Sequence, residues 1–236
     1  MSIPKIIHYC WLSGEPFSDL ARKCIESWHK KMPDYTYILW DREKIKEISS
    51  KWVDSSLEAK KWAFAADYIR LYSLYKYGGI YLDCDVEIVK SFNDLLNCEC
   101  FLGREGHKNV VEAAVMGCSS GLEWTKCALE WYNNRVFDIS QLNNPSIAVP
   151  FILKKVLEQF PNIKLLPSDY FSPKDNRTGI LNITSNTYAI HHFDGNWHSN
   201  YQREYFRIRV KYSEKYGAFI GLCIATLFSI KHKIME

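Results

Sequence analysis

The stretch Gly78-Gly79-Ile80-Tyr81-Leu82-Asp83-Cys84-Asp85 ends a short apolar run in two carboxylates. At positions i and i+2 of an extended chain, Asp83 and Asp85 point to the same side. Both can therefore face one hard divalent cation whose other positions suit phosphate oxygens and water. A diphosphate is the natural companion of such an ion. A lone Asp-x-Asp also fits a solvated turn, so its surroundings decide between the two readings. One hundred residues on, the run Tyr188-Ala189-Ile190-His191-His192-Phe193-Asp194-Gly195 reads as a strand that ends in two histidines and a glycine turn. A neutral imidazole is a common ligand for manganese-like ions and can complete a shell begun by Asp85. Only one of the two histidines can point that way. Asp67 and Arg70, three apart on an expected helix, share a face among alanines and aromatics, and form either a structural ion pair or a ligand clamp.

The elements that must position these groups follow from local patterning. Ile3 to Tyr9 reads as a buried strand, followed by a loop at Cys10 to Gly14. Ser18 is an N-cap for a helix running to about Lys31, with Leu20, Cys24, Ile25 and Trp28 at helical spacing, and Met32-Pro33-Asp34 ends it. Thr36 to Trp40 is the next strand. Strand, helix, strand at this spacing predicts a parallel βαβ unit, whose ligands bind at the carboxyl ends of the strands. One helix is expected from about Leu57 to Tyr77, stopped by Gly78-Gly79 before Ile80 to Leu82 re-enter the sheet. A strand near Phe101, helices over Leu122 to Tyr132 and Ala148 to Phe160, and a short strand at Lys164 to Leu166 complete the reading. Glu105 and Asp169 fall in expected loops. No repeat or linker interrupts the chain.

The 236 residues are 47% hydrophobic, 24% charged and 15% aromatic, a globular composition. The net charge of +3 is local: Tyr201 to Glu236 holds seven basic and three acidic residues, so the remainder is slightly acidic. That distribution argues against a nucleic-acid-binding body and for a basic patch meeting an anionic surface. The N-terminus lacks the basic start and apolar run of a signal peptide, which predicts a cytoplasmic protein. The eight cysteines contain no Cys-x-x-Cys pair, and are expected to be reduced.

The ordered set Ile3-Pro4-Lys5-Ile6-Ile7-His8 with Trp11, Ala66-Asp67-Tyr68-Ile69-Arg70 with Tyr77 to Asp85, and Ala189-Ile190-His191-His192 ending at Trp197 resembles glycosyltransferase family 32. That family of Asp-x-Asp sugar transferases includes capsular-polysaccharide and initiating mannosyltransferases. The resemblance covers most of the first 200 residues. It implies a GT-A fold, a Rossmann-like α/β domain over residues 1–200 around a mixed, mostly parallel sheet. It further implies a nucleotide-sugar donor (a UDP-sugar first, a GDP-sugar second), a glycan or lipid-linked glycan acceptor, Mn2+ or Mg2+, and retention of anomeric configuration. By similarity, Trp11 stacks on the nucleobase, Asp67 and Arg70 hold the ribose or donor sugar, and Asp83 reaches ribose and sugar hydroxyls. Asp85 ligates the metal, Tyr81 lines the donor pocket, and Asn196 and Trp197 cover the departing diphosphate. His192 is preferred over His191 as the metal ligand, because His192-Phe193-Asp194-Gly195 resembles a His-aromatic-x-Gly metal turn.

Residues 201–236 form a basic and apolar tail. Its stretch Gly217 to Ile230 is too short for a comfortable bilayer span of ~20 residues. It is expected to lie on the inner face of the membrane with lysines and arginines at the headgroups; a buried closing helix and an oligomer contact are the alternatives. Two rival functions stand beside the transferase. In a haloacid-dehalogenase-type phosphatase Asp83 would be the nucleophile, though no paired-aspartate motif follows; the other rival is a catalytically silent nucleotide-binding adaptor.

Overall fold

The computed structural model describes residues 2–106, 110–142, 144–195 and 200–235. Strand β1 (Ile6–Cys10) is followed by helix α1 (Asp19–Lys31), whose first turn is capped by the Ser18 hydroxyl accepting from Ala21 N–H. Strand β2 (Thr36–Trp40) then pairs parallel to β1, so the βαβ unit forms where the sequence placed it. Helices α2 (Lys51–Glu58) and α3 (Trp62–Tyr77) come next, then strands β3 (Gly79–Leu82), β4 (Val86–Ile88), β5 (Cys100–Arg104) and β6 (Val111–Cys118). Helices α4 (Glu123–Glu130) and α5 (Val149–Leu157), strand β7 (Ala189–His191) and helices α6 (Asn200–Tyr216) and α7 (Ala218–Met235) complete the order.

The main sheet runs β2-β1-β3-β6-β5. Strands β1, β2 and β3 are mutually parallel, β6 is antiparallel to β3, and β5 is antiparallel to β6. The mixed sheet thus keeps all its strands but β6 in one direction. Alternation along β3 builds the two layers. Ile80 and Leu82 face a core with Ile7, Trp28, Phe92 and Phe101. Tyr81 faces the opposite core, with Leu71, Leu74, Trp124 and Ile152. Gly79 is required where α3 turns into β3. Its φ is +102°, and a Cβ there would lie 2.6 Å from the Ile6 carbonyl oxygen, which belongs to the neighbouring strand.

Two expectations need correction. The single helix from Leu57 to Tyr77 is two helices: Lys60 adopts a φ of 54°, and the Trp52 indole N–H donates to Phe64 O at 2.8 Å, folding α2 back on α3. The segment Lys164 to Leu166 is no strand; it contributes an isolated bridge from Leu166 to Gly103. Strand β6, buried along its whole length, was not anticipated. A continuous apolar run shows no period, and so gives no sign of helix or strand. The cysteines are free thiols, as expected.

His8, in the middle of β1, is a core residue. Its Nε2–H donates to Gly78 O (2.9 Å), and its Nδ1 accepts from the Trp40 indole N–H (3.2 Å). Only the neutral ring satisfies both bonds. Burial, opposed by the Gly78 bond and assisted by Lys44, lowers its pKa from 6.5 to about 4. A lowered histidine stabilises the fold fully above the unfolded pKa, and that stabilisation is lost as pH falls from about 6.5 towards 4. The shift corresponds to about 3 kcal/mol. Urea unfolding at pH 7 and at pH 4 should show a steeper acid loss for wild type than for His8→Gln.

α6 and α7 fold into an antiparallel hairpin at Gly217. Gly221 and Ala225 of α7 face α6, while Phe219 (78% exposed) and Leu227 (65%) point outward. No helix among the described residues is long and apolar enough to cross a membrane.

Candidate active site

The site forms where β3 ends. Asp83 N–H donates to Ala114 O of β6 (3.0 Å), and Val86 N–H returns to Asp83 O (3.1 Å), closing a turn that presents both carboxylates. Cys84 Sγ donates to Cys10 O at 3.3 Å, so the end of β1 and the loop carrying Trp11 lie against this turn. The Trp11 ring sits 4.7 Å from Phe17, its indole N–H donates to Glu15 O, and Arg42 ties the same loop through Leu12 O and Ser13 O.

Strand β7 brings the imidazole. It pairs antiparallel with β4, matching Val86 with His191. The β4 strand is itself clamped to α1, through Trp28 Nε1–H to Val86 O (2.6 Å) and Ile88 N–H to Ser27 Oγ (2.8 Å). Ligand atoms of Asp83, Asp85 and His191 then lie within 4.8 Å of one another. This corrects the expectation for His192. Successive strand residues face opposite ways, and His192 turns its Nε2 to Glu87 Oε2 at 2.9 Å, beside Lys23. His192 serves instead through its backbone N–H, which holds Asp85 O at 3.0 Å. Phe193, with a φ of 56°, and Gly195, at 64°, curl the chain so that Asp194 N–H donates to Asp85 Oδ2 (2.9 Å) and the Phe193 ring packs 3.9 Å from the His191 ring. Asn196 and Trp197 lie outside the described residues.

Asp67 and Arg70 resolve as a buried structural network. Arg70 Nη2 contacts Asp67 Oδ1 (3.1 Å) and Asp83 Oδ1 (3.3 Å), and Nη1 donates to Ala113 O (2.7 Å). The remaining Asp67 oxygen accepts from Val149 N–H at the start of α5 (3.1 Å). Both Asp67 oxygens thus have protein partners, and its side chain is 11% exposed. Tyr81 is part of the same network. It is 1% exposed, lies under the Arg70 guanidinium at 4.7 Å, and donates its hydroxyl to Asp83 Oδ1 at 3.0 Å, so it supports Asp83 from below instead of lining a pocket. Asp83 keeps 29% of its side chain exposed, Asp85 17% and His191 14%, so these three are the groups a ligand meets. Asp83, held by both Arg70 and Tyr81 on a central strand, is not a free phosphatase nucleophile. Asp169 accepts from Thr184 and Asn186 and stays apart from this cluster.

The residue that the sequence reading missed is Glu112. It is 1% exposed in β6, its carboxylate lies 3.1 and 3.2 Å from His191 Nδ1, and it accepts from Ala114 N–H and Ser172 Oγ–H. The signal available was a single carboxylate inside the apolar run 110–118.

Electrostatics favour a cation. Burial opposes ionisation of Asp85, but His191 and the Asp194 N–H outweigh it and hold the carboxyl at about 2. Burial raises Asp83, against the pull of Arg70, and the nearby Asp85 raises it further. Burial would lower His191, yet Glu112 and Asp85 lift it well above its ordinary value. Four carboxylates thus converge on one guanidinium and one imidazole, and the surplus negative charge suits a divalent ion. Carboxylate oxygens with one imidazole are a fitting donor set for Mn2+ or Mg2+.

A mixed sheet with an Asp-x-Asp turn at the end of its central parallel strand is the GT-A architecture. Residues 18–102 match the family model described as glycosyltransferase sugar-binding region containing DXD motif, a similarity confined to that segment. Inositol phosphoceramide mannosyltransferase 3 of Schizosaccharomyces pombe is 32% identical over 127 residues, 51% of this chain and 34% of that protein. Mannosyl phosphorylinositol ceramide synthase CSH1 of Saccharomyces cerevisiae is 35% identical over 122 residues, 49% of this chain and 31% of that protein. The matched segment is about a third of the length of these curated relatives. Among solved structures, PaToxG Glycosyltransferase aligns with a TM-score of 0.55 at 20% identity, covering 67% of this chain and 70% of that one, a likeness of fold.

Proposed function

We propose that this protein is a metal-dependent hexosyltransferase of glycosyltransferase family 32, moving a sugar from a nucleoside diphosphate to a glycan or lipid-linked glycan with retention, in cell-surface polysaccharide synthesis. The observation that carries this reading is the convergence of Asp83, Asp85 and His191 at the carboxyl end of β3. These residues would hold Mn2+ or Mg2+, which when bound neutralises the charge that develops on a departing diphosphate. Asp85 is anchored through Oδ2 by Asp194 N–H. Arg70 and Tyr81 fix Asp83 in one orientation, so the ion meets preorganised oxygens. The loop of Trp11 borders the same turn, which supports an aromatic floor for the base.

Mannose is the first sugar to test, because curated relatives are named as mannosyltransferases. Their names also refer to inositol phosphoceramide, which supports a lipid-carried acceptor. A peripheral membrane contact at the inner face is supported by the exposed Phe219 and Leu227. Arg207, Lys211 and Lys215 fall roughly 120–180° around α6 from Arg209 and Ser213, the α6 residues that meet α7. These three residues therefore point away from α7.

Calorimetric titration with UDP, GDP and CDP, each with Mn2+ and with EDTA, tests the reading. Mn2+-dependent binding of one nucleotide is expected, followed by turnover of its mannose or glucose derivative to an α-linked product by NMR. Binding of none with Mn2+ would overturn it, and binding without turnover would favour the silent nucleotide-binding adaptor.

A further inference from the structure

Glu112 is 1% exposed. Its partners are Ala114 N–H at 3.0 Å, the Ser172 hydroxyl, and His191 Nδ1 at 3.1 and 3.2 Å. Two of these are framework groups that pin the carboxylate in place. The third is the imidazole whose other nitrogen, Nε2, lies 3.6 Å from Asp85 Oδ2. A buried carboxylate on an apolar strand is costly unless each oxygen is bonded. Here the bonding is complete, and its direction is specific: both oxygens straddle one ring nitrogen.

We propose that Glu112 is a positioning residue for the metal site: it accepts the Nδ1–H of His191, and so keeps the Nε2 lone pair free and aimed at the ion shared with Asp83 and Asp85. Ser172 serves one step further back, locking the Glu112 oxygen it donates to. The Phe193 ring, 3.9 Å from the imidazole, blocks rotation from the side that hydrogen bonds leave open. The imidazole is then fixed in position by β6 and by the turn after β7, elements that meet only in the folded chain. Carboxylate–histidine–metal relays of this form orient the ligand, and their loss typically lowers metal affinity about 10- to 100-fold. This inference rests on the metal-site reading above and adds to it the residue that aims its nitrogen ligand.

The test is Mn2+ binding to the full chain without nucleotide, counted by the EPR signal of free Mn2+, in wild type, Glu112→Gln, Glu112→Asp and Ser172→Ala. Glutamine keeps the shape but removes the charge: with its NH2 turned to His191 the imidazole must accept at Nδ1 and carry its proton on Nε2, and with its NH2 turned to Ser172 the Nδ1–H meets only a neutral, weaker acceptor. Affinity should fall about 10- to 100-fold in Glu112→Gln. The 14N modulation of bound Mn2+ in electron spin-echo spectra, the signature of an imidazole ligand, should fade with it. Aspartate keeps the charge and should restore the modulation, with affinity between the two. Ser172→Ala should lose less than about tenfold. Wild-type affinity and undiminished 14N modulation in Glu112→Gln would overturn this inference and leave the metal site intact. If Glu112→Gln does not fold, Glu112→Asp and Ser172→Ala decide: unchanged affinity and modulation in both would overturn it. Absence of Mn2+ binding by wild type would overturn the metal reading and this inference together.

Discussion

Asp85→Asn should leave a folded protein that no longer couples a cation to a nucleotide. The asparagine oxygen can still accept from Asp194 N–H, which holds the turn after β7 at 2.9 Å, so a cooperative thermal transition should survive. What disappears is one of the two carboxylates at the mouth of the site. Mn2+ affinity should drop more than about 100-fold, beyond what loss of an outer-shell partner costs. If transfer is assayed, turnover should fall about 10²- to 10³-fold, the usual effect of removing one group that stabilises developing charge. Calorimetry with Mn2+ and the cognate nucleotide checks the first, and a coupled nucleotide-release assay the second. Wild-type binding by this variant would remove Asp85 from the metal site.

Arg70→Met should cost more in stability than any other single change near the site. The guanidinium faces two carboxylates, Asp67 and Asp83, and closes on the Ala113 carbonyl, with the side chains of Arg70 and Asp67 only 6% and 11% exposed. Burial works against its charge, but Asp83, Tyr81 and Asp67 hold it protonated. Burial likewise pushes Asp67 to about 6 in spite of Arg70. Methionine leaves these acids without their counter-ion, and breaking a buried pair from one side costs about 3–5 kcal/mol. For a chain of this size, that is a fall in Tm on the order of 10 °C. Arg70→Lys retains the charge without the planar fork, and should recover part of the stability but not the orientation of Asp83. Adding Asp67→Asn to Arg70→Met should return some of the loss, because the two sites share one network. Thermal unfolding of the four proteins measures each term.

The patterns legible in the sequence were those carried by neighbours in the chain. Ser18 before an apolar helical period, Gly78-Gly79 before Ile80, and the i, i+2 spacing of Asp83 and Asp85 each fix local geometry within a few residues. From them the βαβ unit, the strand that ends in carboxylates, and the parallel core could be read. The choice between His191 and His192 could not, because it depends on which face of β7 meets β4, a register set across a hundred residues of chain. The contacts that Asp67 and Tyr81 make inside the protein were not legible for a related reason. The i, i+3 spacing shows that Asp67 and Arg70 meet, but whether their face opens to a ligand or closes on the N-terminus of α5 is decided by how the helices pack.

Sequence alone therefore determined the chemistry on offer: two carboxylates at a strand end, an imidazole downstream, and the α/β frame to hold them. Tertiary structure alone decided the assembly. Strand β6, silent in its periodicity, inserts antiparallel beside β3 and delivers Glu112 to the imidazole. A hydrogen bond between residues 112 and 191 leaves no trace in local pattern, because its partners become neighbours only when the sheet closes.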